Sequence, residues 1–402
     1  MSSPENPTGR QTPSVLHTPA RQAIIDRMAN LGPLFAKRAD QIDREAAFPY
    51  ENWQDLRAAG LLGIAIPTEA GGLGGDFVAY ALTSEELGRH CPTTGLTFNM
   101  HVATTLLVGE IADALDLDPA DRAVHDDRRS RLWRGIVEDG HIHSQPFSEG
   151  VAVGATAGYS TRAVPVDGGY RVTGRKIFAS LAGASTFHNV LCMVEGDDRL
   201  RLLGVPHEAE GVSIVGDWDP LGMRGTDSRN LVMDDVFVPI ENEWLPPGAF
   251  DQAANRWPYF YMTLSFSYLG MMRGILDFTE AYLRAGDRRD FAIKQQGWAS
   301  MNLRYEQAHA LCYRALSDVI IDPGPERLRR AWASMVTTME GAPELASTAI
   351  RVCGGRSMLR PSYIERAYRD ARCGATMLPW SVEICLERLG RAGLFDDEGP
   401  AA

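Results

Sequence analysis

The sequence predicts a mixed α and β fold in three parts. An N-terminal helical domain covers 21–140, a middle β domain of barrel or sandwich type covers 141–245, and a C-terminal helical bundle domain covers 246–402. Three observations carry this prediction: apolar residues recur at three- and four-residue steps toward both ends, a hairpin signature sits between them, and Gly and Pro clusters mark the joints. With 402 residues, 45% apolar and 23% charged, the chain is long enough and apolar enough to bury a large core.

Residues 1–20 are rich in Pro, Ser and Thr and lack an apolar run, so they read as a disordered tail and not a signal peptide; a cytoplasmic location follows as the expectation. Ile24, Met28 and Leu31 then repeat at helical steps, as do Trp53, Leu56 and Ala59 before the stop at Gly60. The stretch Pro67-Thr-Glu-Ala-Gly-Gly-Leu-Gly-Gly75 predicts a tight turn into a second helix from Phe77 to Arg89, which carries the paired Glu85 and Glu86. No convincing strand precedes that turn and no Lys-Ser/Thr follows it, so it is a poor phosphate loop. Ala163-Val-Pro-Val166, the turn Asp167-Gly-Gly169 and Tyr170-Arg-Val-Thr173 form a hairpin signature, with further strands at Asn189 to Val194 and Leu231 to Val238. Beyond Pro239 and Pro246-Pro247, helical spacing returns at Leu269, Met272, Leu276 and Leu283, at Met335 and Met339, and from Val382 to Leu389. The methionines in these stretches read as core filler.

Composition also excludes several classes. There are 40 Lys+Arg against 52 Asp+Glu, a net charge of −12, which disfavours nucleic acid as a partner because phosphate backbones demand a cationic face. No uncharged apolar stretch reaches the roughly 18 residues that a spanning helix needs; the best, Tyr259 to Met272, is short and is closed by Arg273. Cysteines at 91, 192, 312, 353, 373 and 385 are scattered with no CxxC, and read as reduced buried thiols, with no metal site expected. His141 and His143 would share one face of a strand, lining either a polar pocket or a half-exposed sheet.

On its motifs the chain resembles the acyl-CoA dehydrogenase superfamily of flavoproteins from about residue 22 onward. The most specific piece is Gly222-Met-Arg-Gly-Thr-Asp-Ser228 leading to Asp234-Asp-Val-Phe-Val-Pro239. Ile66 to Gly75, Gly174-Arg-Lys-Ile-Phe-Ala-Ser180, Cys353-Gly-Gly355 and Tyr368-Arg-Asp-Ala-Arg372 support it. The resemblance implies an acyl-CoA dehydrogenase-like fold with a C-terminal four-helix bundle and an FAD whose ring lies between sheet and bundle. Ser148, Phe178 and Ser180 fall on the positions that contact the ring, where a flavin needs hydrogen-bonding groups at its polar edge and an apolar wall. Arg288 and Phe291, with Gly354 and Gly355, resemble the part that holds pyrophosphate and adenine across a subunit interface, implying a homodimer or homotetramer. Arg351 stands where a glutamine is usual and could pair with phosphate in its place.

Two departures bear on chemistry. The segment Glu149-Gly-Val-Ala-Val-Gly-Ala155 has Gly154 and Ala155 where the family has Ser and Asp. The glutamate that removes the α proton of an acyl thioester is replaced at its usual position by Leu378 and at its alternative position by Phe260. Three functions are therefore weighed. Dehydrogenation of an acyl thioester, on CoA or a carrier protein and with an electron-transfer partner, ranks first and needs a base from elsewhere: Glu383, Glu387 or Glu149. A flavin monooxygenase or oxidase, with FMN possible and a flavin reductase as partner, needs no such base; Asn99 and His101, with His143, would be its polar groups. The third is an FAD-binding subunit that is catalytically silent within a hetero-oligomer.

Overall fold

The computed structural model describes residues 16–150, 159–257, 259, 262–319, 321–377 and 381–395. Its first part is helical: α1 (Pro19–Glu45), α2 (Tyr50–Ala58), α3 (Phe77–His90), α4 (Pro92–Leu106) and α5 (Pro119–Arg134). α1 starts at Thr18, whose hydroxyl accepts from the Arg21 N–H at 3.3 Å, and buries Ile24, Met28, Phe35 and Ile42 along one face. α3 starts at Asp76, whose carboxylate accepts from the Ala79 N–H at 2.8 Å. The glycine-rich turn before it is a packing device: a Cβ on Gly72 would lie 2.1 Å from the Ile66 carbonyl oxygen, and Gly71 and Gly74 have φ of 85° and 65°.

The middle part is one seven-stranded sheet built from β1 (His143–Ser144), β2 (Arg162–Val166), β3 (Gly169–Lys176), β4 (Phe187–Val194), β5 (Asp197–Pro206), β6 (Val212–Val215) and β7 (Asn230–Pro239). The order is β1-β4-β2-β3-β7-β6, with β5 paired to β4. β2 and β3 form the expected hairpin, Val166 opposite Gly169. Between the strands lies a core of its own, including Val172, Val190, Leu203, Leu231 and Val236.

The last part comprises α6 (Ala249–Arg256), α7 (Thr263–Arg284), α8 (Ala292–Ser317), α9 (Pro325–Cys353), α10 (Tyr363–Cys373) and α11 (Val382–Leu394). α7 crosses α3 with almost no separation. A Cβ on Gly270 would meet the Glu85 carbonyl oxygen at 1.8 Å, and one on Gly88 would meet the Ser267 carbonyl oxygen at 2.0 Å, so only glycine permits this crossing. Among the described residues no helix is long and apolar enough to cross a membrane, no metal-ligating cluster forms, and all six cysteines are free.

Candidate active site

The three parts meet at the loop between β6 and β7. Met223 N–H donates to the Asp370 carboxylate of α10 at 2.6 Å, the Arg224 guanidinium donates to the Asp43 carbonyl of α1 at 2.8 Å, and Thr93 of α4 donates to the Met223 sulfur at 3.8 Å. Burial raises the Asp370 carboxyl to about 6, against the pull of the Met223 N–H. The loop in turn clamps the segment after β3: Ala179 N–H donates to Arg229 O at 2.9 Å, and Leu181 and Ala182 N–H donate to Thr226 and Asp227 O, each at 3.0 Å. Non-glycine residues in the left-handed region concentrate here, with φ of 51° at Phe178, 68° at Leu181, 53° at Met223 and 45° at Asp227.

That strained backbone presents Phe178 outward, 65% exposed, against the edge of Trp218 at 6.3 Å between ring centroids. The Trp218 indole N–H is buried with no partner among the described residues. Beside them Ser180 Oγ contacts Ser228 Oγ at 2.8 Å, Ser228 Oγ contacts Thr226 Oγ1 at 2.8 Å, and the Thr226 hydroxyl donates to the Met223 carbonyl at 2.9 Å. Ser148 joins the same wall, its carbonyl accepting from the Ile177 N–H at 2.8 Å. So Ser148, Phe178 and Ser180 are neighbours, and Trp218, Ser228 and Thr226 join them. The last two lie inside the motif that the sequence offered only as a mark of fold.

The candidate bases fare differently. The Glu149 side chain is 1% exposed and accepts from Lys176 Nζ at 2.5 Å, from the Ser160 hydroxyl at 2.6 Å and from the Thr161 hydroxyl at 2.6 Å. Burial by itself would raise its pKa; the Lys176 ammonium and these hydroxyls outweigh that and hold it at about 2. It is a structural carboxylate that joins the Ser160–Thr161 turn to β3. Glu383 and Glu387 are exposed on α11. Leu378, Phe260, Gly154 and Ala155 lie outside the described residues.

Asn99 and His101 on α4 are buried, and their hydrogen bonds run to protein partners. Asn99 Oδ1 accepts from the Tyr80 hydroxyl at 2.8 Å. His101 Nδ1 accepts from the His143 N–H at 3.1 Å, so Nε2 carries the proton and donates to the Leu62 carbonyl at 3.0 Å. Burial lowers its pKa to about 4, making it a neutral, fully committed core histidine. His143 is likewise buried and stacks on Phe187 at 5.2 Å. His141 packs edge-on against the same ring at 5.4 Å.

A second grouping lies where the start of α8 meets the end of α9. The Arg288 guanidinium sits 4.5 Å above the Tyr282 ring and donates to the Tyr282 and Ala285 carbonyls; Phe291 is 57% exposed. Lys294 Nζ donates to the Val352 carbonyl at 2.5 Å, which brings α8 against the α9 terminus. Arg351 is exposed in that last turn, and a Cβ at Gly354 or Gly355 would meet nothing within 4 Å, leaving an open backbone surface.

A helical N-terminal part, a curled sheet and a helical C-terminal part, with an aromatic wall at their joint, define the class. Models of the N-terminal, middle and C-terminal domains of acyl-CoA dehydrogenases match residues 21–112, 147–236 and 258–393 in succession, and the chain belongs to the acyl-CoA dehydrogenase family. A probable acyl-CoA dehydrogenase of Bacillus subtilis, YngJ, is 25% identical over 84% of this chain and 88% of its own. The L-evernosamine nitrososynthase of a Micromonospora species is 26% identical over 90% of this chain and 88% of its own. The structure of KijD3 in complex with FMN and a dTDP-linked amino-keto sugar has a TM-score of 0.84 at 23% identity, covering 98% of both chains. The family is one of flavoproteins, and the residues here are of the kinds such a ring needs: an exposed aromatic face, a buried indole N–H with no partner among the described residues, and a pair of hydroxyls beside them.

Proposed function

We propose that the protein is a flavin-dependent monooxygenase on the acyl-CoA dehydrogenase fold. It would draw reduced flavin from a partner reductase in the cytoplasm and pass one atom of O2 to a small substrate, the other leaving as water with two electrons from the flavin and two protons. The observation that supports this reading is the fate of the carboxylates. Both seats of the family's base hold apolar residues, Leu378 and Phe260, while Glu149 is consumed by Lys176 and Glu383 stands exposed on α11. A thioester dehydrogenase must remove a weakly acidic α proton and needs a free base beside the ring; an oxygenation does not.

When bound, the flavin supplies two-electron redox chemistry and reactivity toward oxygen. Phe178 would wall the ring off from water, and the Trp218 indole N–H and the Ser148 and Ser180 side chains would form hydrogen bonds at its polar edge. FMN is the first flavin to load, because the KijD3 structure holds it. FAD would in addition engage Arg288, Phe291, Arg351, Gly354 and Gly355 with a second copy of the chain, as a homodimer or homotetramer. Amino sugars head the substrate panel, since the similar nitrososynthase is named for one.

The test sets two reactions side by side. With a flavin reductase and 18O2, the expected result is one labelled oxygen in the product. Anaerobic bleaching of the flavin by acyl-CoAs, with enoyl product formed, would overturn the proposal in favour of dehydrogenation. Flavin binding with neither reaction would leave the silent-subunit reading standing.

A further inference from the structure

We propose that Thr226 and Ser228 are positioning residues that fix the hydrogen-bonding sense of Ser180, so that its oxygen faces the cleft as an acceptor only and the site favours reduced over oxidised flavin. This deepens the reading above and rests on its placement of the flavin at Phe178, though not on the oxygenation itself.

Four oxygens run in a line from the cleft into the protein: Ser180 Oγ, Ser228 Oγ, Thr226 Oγ1 and the Met223 carbonyl, separated by 2.8, 2.8 and 2.9 Å. Each contact is short enough to need a proton between its oxygens, and each hydroxyl has one to give. The carbonyl has none, so the Thr226 proton fills the last contact. The Ser228 proton must then fill the contact with Thr226, and the Ser180 proton the contact with Ser228. Any other assignment leaves two lone pairs facing each other at 2.8 Å. Thr226 and Ser228 are 1% and 6% exposed, so water does not reset the chain. The terminal carbonyl is itself anchored, because Met223 holds φ of 53° and its N–H is tied to Asp370 at 2.6 Å.

Ser180 thus spends its proton inward and offers lone pairs outward. At the edge of a flavin, N5 is a bare acceptor in the oxidised ring and an N–H donor after the uptake of two electrons and a proton there. An acceptor-only oxygen opposes the first form and holds the second. N3–H is a donor in both forms, so a Ser180 that met N3 would shift nothing.

The experiment measures dissociation constants of oxidised and photoreduced FMN and FAD for the full-length protein, together with the midpoint potential of the bound flavin. Thr226→Val keeps the shape and removes the acceptor of the Ser228 proton. That proton then has only Ser180 to accept it, which turns the Ser180 proton toward the cleft. The preference for reduced flavin is expected to fall about tenfold, the size of one hydrogen bond, or about 30 mV for a two-electron couple. Ser228→Ala, which frees Ser180 by another route, is expected to move the preference the same way, and Thr226→Ser to restore it. An unchanged ratio in Ser228→Ala or Thr226→Val protein with flavin bound overturns the relay. If the wild-type protein takes up neither flavin, the cleft assignment falls and the relay with it; reduction by an acyl-CoA defeats only the oxygenase reading.

Discussion

At the scale of single residues, environment decides what a carboxylate does. Glu149 stands next to Ser148 in the sequence and looked available as a base; five hydrogen-bonding groups, from Lys176, Ser160 and Thr161, occupy it instead. Lys176 is fully buried, so Glu149→Gln strands an ammonium in the protein interior and is expected to cost about 3–5 kcal/mol in chemical denaturation. Because the folded pKa of Glu149, about 2, lies below its ordinary 4.5, its contribution is present above about pH 4.5 and is lost as pH falls toward 2. A Glu149→Gln protein as stable as the wild type at pH 7 would refute that account. Ser148, Phe178 and Ser180, expected at the ring from the resemblance, lie close together because the Ile177 N–H beside Phe178 donates to the Ser148 carbonyl. Sequence reading missed Trp218, which reaches Phe178 only through the path of the chain between β6 and β7.

Among elements, the crossing of α3 and α7 fixes how the N-terminal helices sit on the C-terminal bundle. Gly88 and Gly270 bring the backbones together, and Glu85 is sealed nearby, accepting from the Tyr313 hydroxyl of α8 at 2.7 Å. Burial raises Glu85 to about 7, with Glu86 adding to the rise and Tyr313 and Arg273 opposing it. The sign is opposite to that of Glu149. A folded pKa above the ordinary 4.5 means that the stabilisation is full below pH 4.5 and is lost as pH rises through 7. Unfolding free energies from denaturant titrations between pH 5 and 8 are expected to drop by on the order of 2–3 kcal/mol in the wild type and to flatten in Glu85→Gln. Equal slopes in both proteins would remove Glu85 as the titrating group. The helices themselves were legible from apolar periodicity, and the paired Glu85 and Glu86 were visible as letters. That one of them meets the Tyr313 hydroxyl was not, because periodicity reports which residues share a face and not what lies against it.

Across the whole molecule, Arg369 is the point where the parts are tied. Its guanidinium holds Asp43 of α1 at 2.6 and 2.8 Å, Glu365 of α10 at 2.6 and 2.8 Å, and the Leu221 carbonyl of the middle part at 3.2 Å. Arg369→Met leaves Asp43 without its cation and Glu365 with Arg360 alone at 3.4 Å, and is expected to cost about 3–5 kcal/mol, with tryptophan fluorescence and far-UV circular dichroism no longer melting together. One coincident transition at the wild-type midpoint would show that the tie carries nothing. The sequence by itself determined the helix, sheet, helix order, the β2–β3 hairpin and the segments that meet at the cleft, since all of these follow from local periodicity, turn chemistry and motif spacing. Only the tertiary structure decided which polar groups are spent. Asn99 and His101 were absorbed by the core, Glu149 by Lys176, and the protons of Thr226, Ser228 and Ser180 were aligned inward. Some of these groups are satisfied by partners far away in the chain, 19 positions for Tyr80 with Asn99 and 48 for Ser180 with Ser228, and no local pattern of residues encodes such pairings.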